Sequence, residues 1–575
     1  MARHTMTGSI QHKDTKPQRH KGFQKKTPFP WPLAISIALL WATVAVMLLV
    51  SLRQQQGHFS YCLDDAYIHL AIAKHFAQEG VWGVTRYGFT SAASSLLWPL
   101  LLAGIFRLFG PHVLTSLLLN LLLATLLLAL VYRLLRRQEL PGAVVTIALC
   151  LLVVAMPLPI MIFNGMEHCL QALVTVLFLS YAARAIAGNP QASLPSVALA
   201  KEGPHFSTLC LLAPLLTLVR FEGLFLAFAA CLLLLLRRRV LPALLIGAGA
   251  LLPVAIYAVI SLHHGWWWLP NSVLLKGTTP HLASLRGLAQ FLCLFYKRVF
   301  LVPGLANVLA LALGCYLIAG ARARAWWSER QIALLLFLLL LLLHGATAGV
   351  PVWYRYEAYL IALGIVVSTA PLYELFREWR LRKASPTSQT GQTCPTIARI
   401  AALAALLLLF DLSARRGVYG LLLTPRACTN IYQQQLQMAR FLGRYYPGAS
   451  IAANDIGAIN YFNDIHCVDL AGLANMPVAR KLRAHRLDSA ALAEITRTAD
   501  VKVAICYTDW LRGQAPPAWI NIAGWRIPHN VVCGGPLVSF YAIDPSEAAP
   551  LAAHLREFTP RLPAGVRVQI KDTKN

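Results

Sequence analysis

The feature that most constrains the fold of this chain is a series of long apolar runs, several of which end in clusters of arginine. The first run, Trp31–Leu52, is long enough for a bilayer crossing and follows a basic tail within residues 1–30. Hydrophobic residues make up 57% of the chain and charged residues only 13%, a balance that ordinary soluble globules do not show. The sequence therefore predicts a polytopic α-helical membrane protein.

Apolar runs of similar length predict about eleven spans in total, which places the membrane domain at residues 31–415. After the first, the predicted spans are Val113–Arg133, Pro141–Phe163, Cys169–Ala187, Phe206–Val219, Phe221–Leu236, Leu241–Ser261, Phe300–Gly320, Gln331–Thr347, Ala358–Phe376 and Ala398–Ser413. One more run, Leu96–Phe109, is short for a crossing and has the length of an interfacial or re-entrant helix.

The basic clusters decide whether Leu96–Phe109 crosses the membrane. If it stays on one side, the clusters that follow later spans face the cytoplasm, as the positive-inside rule expects. These clusters are Arg133 with Arg136 and Arg137, Arg237–Arg239, Arg322 with Arg324, and Arg377, Arg380, Arg382 and Lys383. If the run crosses, every cluster is moved outside. We therefore predict an inner (plasma) membrane protein with a cytoplasmic N-terminus, a first external loop at residues 53–112, and an extracytoplasmic C-terminal part.

Charge and motifs exclude two classes of partner. The net charge of +27 arises from these clusters at the ends of spans, and no basic stripe is interleaved with aromatic residues, so we expect no nucleic acid partner. The chain also lacks a Gly-x-x-x-x-Gly-Lys-Ser/Thr loop and a dinucleotide-binding glycine cluster, which disfavours a nucleotide-linked substrate.

The C-terminal part, residues 416–575, differs from the rest in composition. Short apolar stretches at Ser450–Ala453, Cys467–Leu470 and Val501–Cys506 predict strands, and Ser489–Ala499 predicts a helix between the last two. Strands that alternate with helices indicate a small soluble α/β domain. A disulfide is left open on the external side, among four cysteines: Cys428, Cys467, Cys506 and Cys533.

Two adjacent aspartates stand out in the first external loop. Apolar residues recur at helical spacing from Tyr67 onward, so Asp64 and Asp65 lie at or near the start of a helix along the membrane surface. A single aspartate there is most simply a helix N-cap. Adjacent carboxylates repel each other, however, and are costly beside a membrane unless they bind a cation or a metal, or one of them accepts the proton of a hydroxyl. A divalent cation is therefore an open alternative, and Asp64 and Asp65 are its candidate ligands.

External cations next to aromatic residues are candidates for binding a lipid phosphate. Lys276 and Arg355, the latter beside Tyr356, lie in predicted external loops. Anchoring to lipid headgroups is the competing interpretation, because lysine, arginine, tryptophan and tyrosine are common at membrane interfaces.

Two short acidic motifs lie in the loops between later spans. Arg220 is a further candidate for binding the donor phosphate and Glu222 is another candidate site residue, although the two are also consistent with a purely structural ion pair that holds a tight turn. Glu167 and His168 could cap the next helix or bind a metal, but one histidine beside one glutamate is a weak metal signal.

Several of these motifs resemble one family. The stretches Asp64-Asp-Ala-Tyr-Ile, Gly80-Val-Trp-Gly-Val-Thr, Thr90-Ser-Ala-Ala-Ser-Ser, Gly165-Met-Glu-His, Arg220-Phe-Glu-Gly, Pro270-Asn-Ser-Val-Leu-Leu-Lys and Ala453-Asn-Asp-Ile-Gly resemble segments of GT-C-fold glycosyltransferases. The nearest likeness is to the terminal arabinofuranosyltransferases of mycobacterial walls. Aminoarabinose transferases and protein O-mannosyltransferases are more distant.

The resemblance implies a polyprenyl-phosphate sugar as donor, a glycan, lipid or protein as acceptor, and two helices of the first loop lying along the membrane. It implies Asp64 as base or metal ligand, with Asp65 second. Similar sequences often have an arginine in the helix that follows, where this chain has His69 and Lys74.

Two other classes of function remain open from the sequence. A transporter or flippase of lipid-linked sugars would have broken helices in matching halves and polar groups near the midplane, whereas this chain gathers them at one face. A non-catalytic envelope assembly protein would leave the paired aspartates without a role.

Overall fold

A computed structural model describes residues 29–188, 203–276, 284–323, 326–347, 353–383, 395–511 and 513–571. The predicted basic tail lies outside these ranges, apart from its last two residues.

A helix coincides with each predicted span and with the short run in the first loop. In chain order the helices of this part are α1 (Trp31–Gln54), α2 (Asp65–Glu79), α3 (Leu97–Phe109), α4 (Thr115–Arg136), α5 (Gly142–Ala155), α6 (Leu158–Asn164), α7 (His168–Ala187), α8 (Gly203–Val219), α9 (Gly223–Leu236), α10 (Val240–His263), α11 (Asn271–Lys276), α12 (Leu285–Val299), α13 (Pro303–Ala323), α14 (Glu329–Thr347), α15 (Ala358–Lys383) and α16 (Pro395–Gln433). The sequence did not predict α11 and α12, which lie within a predicted external loop.

In the part of the chain that the structure describes, seven helical segments are long and apolar enough to cross a membrane. They are Trp31–Gln54, Thr115–Arg136, Gly142–Asn164, His168–Ala187, Val240–His263, Glu329–Thr347 and Ala358–Glu378. Three further predicted spans fall on the shorter apolar helices α8, α9 and α13, and the last falls within α16. The chain is thus a multi-pass membrane protein, while the count of eleven spans stays a prediction.

A break in one span brings the second acidic motif to the first loop. Pro157 separates α5 from α6, because proline lacks the amide hydrogen that a continuous helix needs. The helix α6 then ends at Gly165, whose φ of +67° lies in the left-handed region. A Cβ at Gly165 would lie 2.6 Å from the ring of Tyr61, so glycine also permits the close approach of the first loop.

The first loop contains the two predicted helices, α2 and α3, and they pack against each other. The helix α2 ends at Gly80 in the left-handed conformation, with φ of +72°. Its buried face includes Tyr67, Leu70 and Ile72, so α2 is packed within the protein rather than exposed along its length. The prediction of helices in this loop is confirmed.

The C-terminal domain is built on one mixed sheet. Its elements are α17 (Gln435–Tyr445), β1 (Ser450–Ala453), α18 (Gly457–Phe462), β2 (His466–Asp469), α19 (Met476–Arg483), α20 (Ser489–Thr498), β3 (Val503–Cys506), β4 (Ile520–Arg526), β5 (Leu537–Ala542), α21 (Ala548–Phe558) and β6 (Arg567–Ile570). The strand order is β2-β1-β3-β5-β4-β6, in which β1 pairs in parallel with β2 and β3 and the remaining pairs are antiparallel. The predicted α/β domain is confirmed, and β4, β5 and β6 were not foreseen.

The two parts of the chain are joined without a break in structure. The helix α16 runs through the predicted boundary at residue 416 and continues to Gln433, where α17 follows. The C-terminal domain then packs back onto the first loop, because α18 contacts α2. The disulfide that the sequence left open is not formed, and each of the four cysteines is free: Cys428, Cys467, Cys506 and Cys533.

Candidate functional site

The acidic motif of the first loop is bound directly by the C-terminal domain. The Gly457 amide donates a hydrogen bond of 2.7 Å to Asp64 Oδ2, and the Ala458 amide donates one of 2.9 Å to Asp64 Oδ1. Asp64 precedes α2, as predicted, but its side chain makes no capping bond to that helix. The alternative that Asp64 caps its own helix is therefore wrong, because its carboxylate instead binds the first amides of α18.

Glycine is required where the two parts meet. A Cβ on Gly457 would lie 2.1 Å from the backbone oxygen of Asp64 and 2.8 Å from its carboxylate. Contacts this short leave no room for any side chain. This contact has no local sign in the sequence, since Asp64 and Gly457 lie almost four hundred positions apart.

A second carboxylate, Asp455, approaches Asp64 from the C-terminal domain. Asp455 Oδ2 accepts hydrogen bonds of 2.6 Å from the Tyr507 hydroxyl and 2.6 Å from Gln435 Nε2. Burial raises the pKa of Asp455. Burial, and then repulsion from Asp455, also raise the pKa of Asp64, to about 8, although the two amides at Gly457 and Ala458 oppose the rise.

Asp455 is a candidate site residue that sequence reasoning missed. It lies in Ala453-Asn-Asp-Ile-Gly, one of the segments that resemble GT-C-fold glycosyltransferases. A carboxylate two residues after the end of strand β1 was the available signal, since side chains at the ends of parallel strands commonly gather at one edge of a sheet.

Asp65 faces away from this contact and pairs with a predicted cation. Arg355 Nη1 donates a hydrogen bond of 2.5 Å to Asp65 Oδ2. The guanidinium carbon of Arg355 lies 5.0 Å from the ring centroid of Tyr356. The residues just before Arg355, Trp353 and Tyr354, have positive φ values of 49° and 63°, which are costly for large side chains and show that the surrounding structure holds this loop in place.

The Asp65–Arg355 pair is partly open to solvent. The Asp65 side chain is 28% exposed, whereas Arg355 is 6% exposed. Arg355 Nε is buried and has no hydrogen-bond partner among the described residues. The guanidinium thus has one donor that no described residue accepts from.

Arg220 forms a neighbouring, more deeply buried ionic cluster. Its Nη1 donates a hydrogen bond of 2.5 Å to Glu167 Oε1, and its Nη2 donates one of 2.8 Å to Glu222 Oε1. The predicted Arg220–Glu222 ion pair is thus present. Burial alone would raise the pKa of Glu167, but Arg220 and then His69 outweigh it and hold that pKa at about 2. A glutamate held in its charged form, next to a guanidinium, is a structural anion rather than a base.

The remaining histidine and lysine candidates have separate positions. His69 Nε2 lies 3.6 Å from Glu167 Oε2, and burial lowers the pKa of His69 although the charge of Glu167 opposes this. Lys74 Nζ donates a hydrogen bond of 2.8 Å to the backbone oxygen of Tyr461, which makes a further link to α18. His168 is buried at the start of α7, where Nδ1 lies 3.5 Å from the Gln171 side-chain oxygen.

Two predictions about ligands concern Lys276 and a metal. Lys276 ends α11, and its side chain lies outside the described part of the chain. Within the described ranges, no three His, Cys, Asp or Glu side chains are arranged to hold a metal ion.

Glu167 occupies the N-cap position of α7 but makes no side-chain capping bond, because its carboxylate is engaged by Arg220.

The arrangement brings together three loops from distant parts of the sequence. Asp64 and Asp65 present a carboxylate on either side of the start of α2, one toward Asp455 and one toward Arg355. A carboxylate with a raised pKa is suited to accept a proton near neutral pH, and a guanidinium with a spare donor is suited to bind an anion.

Several solved structures are similar to this chain. ArnT from Cupriavidus metallidurans, in a crystal structure bound to undecaprenyl phosphate, is 15% identical with a TM-score of 0.51, over 89% of this chain and 99% of that one. An apo structure of the Archaeoglobus fulgidus oligosaccharyltransferase is 12% identical with a TM-score of 0.47, over 88% of this chain and 75% of that one. The chain has the GT-C fold, as the resemblance predicted.

Sequence comparisons add one match, which lies in the C-terminal part. The family model described as Domain of unknown function (DUF8728) matches residues 429–541. That range contains Gln435, Asp455, Gly457 and Tyr507, the residues of the C-terminal domain that reach toward the acidic motif. No curated protein sequence matches the chain.

Proposed function

We propose that this chain is an integral-membrane glycosyltransferase that moves a sugar from a polyprenyl-phosphate donor to an acceptor hydroxyl on the extracytoplasmic side of the inner membrane. The observation that carries the proposal is the meeting of Asp64, Asp65 and Arg355 at one place in a GT-C fold. The similar ArnT structure, which contains undecaprenyl phosphate, supports a lipid phosphate as the leaving group.

In the proposed reaction, the acceptor oxygen attacks the anomeric carbon of the donor sugar. A new carbon–oxygen bond forms there, the bond from that carbon to the phosphate oxygen breaks, and the polyprenyl phosphate leaves with the electron pair. The hydroxyl proton passes to a carboxylate. A single displacement of this kind inverts the configuration at the anomeric carbon.

Asp64 is the proposed base, with Asp65 as the second candidate. The pKa of Asp64, raised to about 8 mainly by burial, is close to the value that favours proton transfer near neutral pH. The amides of Gly457 and Ala458 use one lone pair on each oxygen, and each oxygen retains another. Asp65 is more exposed, but its Oδ2 is committed to Arg355.

Arg355 is the proposed contact to the donor phosphate. Arg355 lies over Tyr356, and a phosphate that takes the place of Asp65 would accept hydrogen bonds from its guanidinium, whose Nε has no partner among the described residues. Lys276 is proposed as a second cation, from the sequence alone. Arg220, whose guanidinium lies 5.6 Å from the centroid of the same Tyr356 ring, is proposed to hold that ring in place while Glu167 and Glu222 balance its charge.

The test is to incubate the purified full-length protein in detergent with a panel of radiolabelled polyprenyl-phosphate sugars and to follow transfer of label out of the lipid. We expect one donor to lose its label, by transfer or by slower hydrolysis, and this loss to require both Asp64 and Arg355. If no donor loses label, but vesicles containing the protein move labelled lipid between leaflets, the chain is a flippase and the proposal is wrong.

A further inference from the structure

A cavity of about 490 Å³ lies between the first loop, the start of α4 and the C-terminal helix α17. Its walls include Phe59 from the first loop, Leu114 just before α4, Leu436 from α17 and Phe462 at the end of α18. None of the residues assigned to the proposed reaction lines this cavity. Its walls are largely apolar although it opens on the surface, and exposed apolar walls of this kind favour a bound molecule.

The cavity lies at the level of the membrane surface. Arg133 marks the cytoplasmic end of the predicted span that contains α4. Twenty residues before it, at a rise of about 1.5 Å per residue, Val113 lies roughly 30 Å away, which is the thickness of the hydrocarbon core. Val113 lines the cavity. Just before it, Leu108 and Phe109 are 76% and 82% exposed, as expected of side chains that enter a bilayer.

The polar groups of the cavity suit an anion. Arg440 lines it from α17, with its guanidinium carbon 5.4 Å from the centroid of the Tyr432 ring. His112 lines it from the opposite side, and because the Leu114 amide donates to His112 Nδ1 at 3.2 Å, its Nε2 carries the proton and is a donor. No aspartate or glutamate is among the described residues that line the cavity.

An apolar stripe leads from the cavity into the membrane. Leu118, Leu122 and Leu126 follow one another at intervals of four residues on α4, and they are 60%, 54% and 46% exposed. Residues four apart share one face of a helix, so the three leucines form a track for an acyl chain below the cavity. An anionic headgroup site above such a track matches an amphiphile rather than a soluble anion.

We propose that this cavity binds an anionic phospholipid of the outer leaflet, with its phosphate between Arg440 and His112 and an acyl chain along Leu118, Leu122 and Leu126. The lipid would join α17 of the C-terminal domain to the membrane surface beside α4. It would therefore favour the position of that domain in which Gly457 and Ala458 bind Asp64.

The donor lipid is a poorer occupant than a phospholipid. The rings of Tyr61, Tyr67 and Phe462 stand between the cavity and Asp64, with centroid separations of 5.6 Å between the two tyrosines and 5.9 Å between Tyr67 and Phe462. Tyr67 is fully buried. A sugar phosphate in the cavity would thus be walled off from the carboxylates.

The test is native mass spectrometry of the full-length protein with phosphatidylglycerol, phosphatidylcholine or undecaprenyl phosphate added in turn. We expect phosphatidylglycerol to be retained in preference to phosphatidylcholine. The variant Arg440→Gln should weaken this retention about fivefold, which is the effect of one cation near an anionic lipid surface. Arg444→Gln is the matched control, because Arg444 lies one turn further along α17, pairs with Glu557 at 2.9 Å and does not line the cavity.

A second variant covers the case in which Arg440→Gln fails to fold. His112→Ala removes the donor on the other wall and should also lower phosphatidylglycerol retention. Equal retention of both phospholipids, or equal losses in Arg440→Gln and Arg444→Gln, would overturn the proposal. Stronger retention of undecaprenyl phosphate than of phosphatidylglycerol, lost in Arg440→Gln, would assign the cavity to the donor lipid instead.

Discussion

Replacing Asp64 by asparagine removes the proposed base and also disturbs the contact of Asp64 with Gly457 and Ala458. A control variant must therefore separate the loss of the base from the loss of this contact. Asparagine keeps one oxygen but turns the other into an amino group. That amino group would face the amide of Gly457 or Ala458, so a donor would meet a donor. A buried amide without an acceptor costs about 1–3 kcal/mol, which shifts the docking of the C-terminal domain by roughly 5- to 150-fold.

The variant Gly457→Ala measures the effect of undocking by itself. Its Cβ would lie 2.1 Å from the Asp64 backbone oxygen, so the contact must open while the carboxylate is retained. Turnover is measured as label released from the donor lipid, and docking as hydrogen exchange of the α18 amides. If Asp64 is the base, Asp64→Asn should lose about 100-fold or more in turnover, beyond the loss in Gly457→Ala.

Asp65→Asn completes the comparison. It keeps the Gly457 and Ala458 contacts, and it weakens the pair with Arg355. We expect a smaller loss of turnover than for Asp64→Asn. The assignment of Asp64 as base is refuted if Asp64→Asn loses no more turnover than Gly457→Ala, because docking alone would then account for its effect.

Three further outcomes are expected. Arg355→Ala should weaken donor use by about 10- to 150-fold, since a hydrogen bond to a charged group contributes roughly 1.5–3 kcal/mol. Lys276→Ala should have an effect of the same size. Unchanged donor affinity in both variants, measured by titration with the lipid, would mean that both residues only anchor the protein to lipid headgroups. Because a base must lose its proton before it acts, kcat/KM should rise with pH toward about 8. Asp455→Asn should move that rise to lower pH, because it removes the repulsion that helps to raise the pKa of Asp64. A phosphatase fused to the C-terminus should be active and a β-galactosidase inactive, whereas the reverse would place the proposed site in the cytoplasm.

The fold was predictable where the signal is local. Apolar length located the helices, and β1, β2 and β3 were found because each is a short apolar stretch near a helix. The strand β4 was missed because Asn521 and Gly524 interrupt its apolar stretch, although four consecutive residues in it are buried.

The site was predictable only in part, because the sequence shows which residues are charged but not which of them meet. Local chemistry pointed to Asp64, Asp65 and Arg355, since charged residues near a membrane are few and need a function or a partner. Their pairing is not a local property. The partner of Asp65 lies 290 residues away and those of Asp64 lie 393 and 394 residues away, so periodicity and composition carry no information about them.

Two ionic groups lie beside Tyr356, an inner one around Arg220 and an outer one around Arg355. They differ in burial and in the number of carboxylates, and we infer different roles for them. In the inner group, Arg220 meets two carboxylates, and Glu167 is fully buried. Breaking such a group leaves an uncompensated charge, so it fixes the loops between spans and changes little during a reaction. In the outer group, Asp65 is the one carboxylate among the described residues that pairs with Arg355, and it reaches solvent. An arriving phosphate can compete for Arg355 at modest cost there, because water can solvate the released carboxylate. Binding of the donor would thus loosen Asp65 while Asp64, held by the C-terminal domain, stays in place to accept the proton.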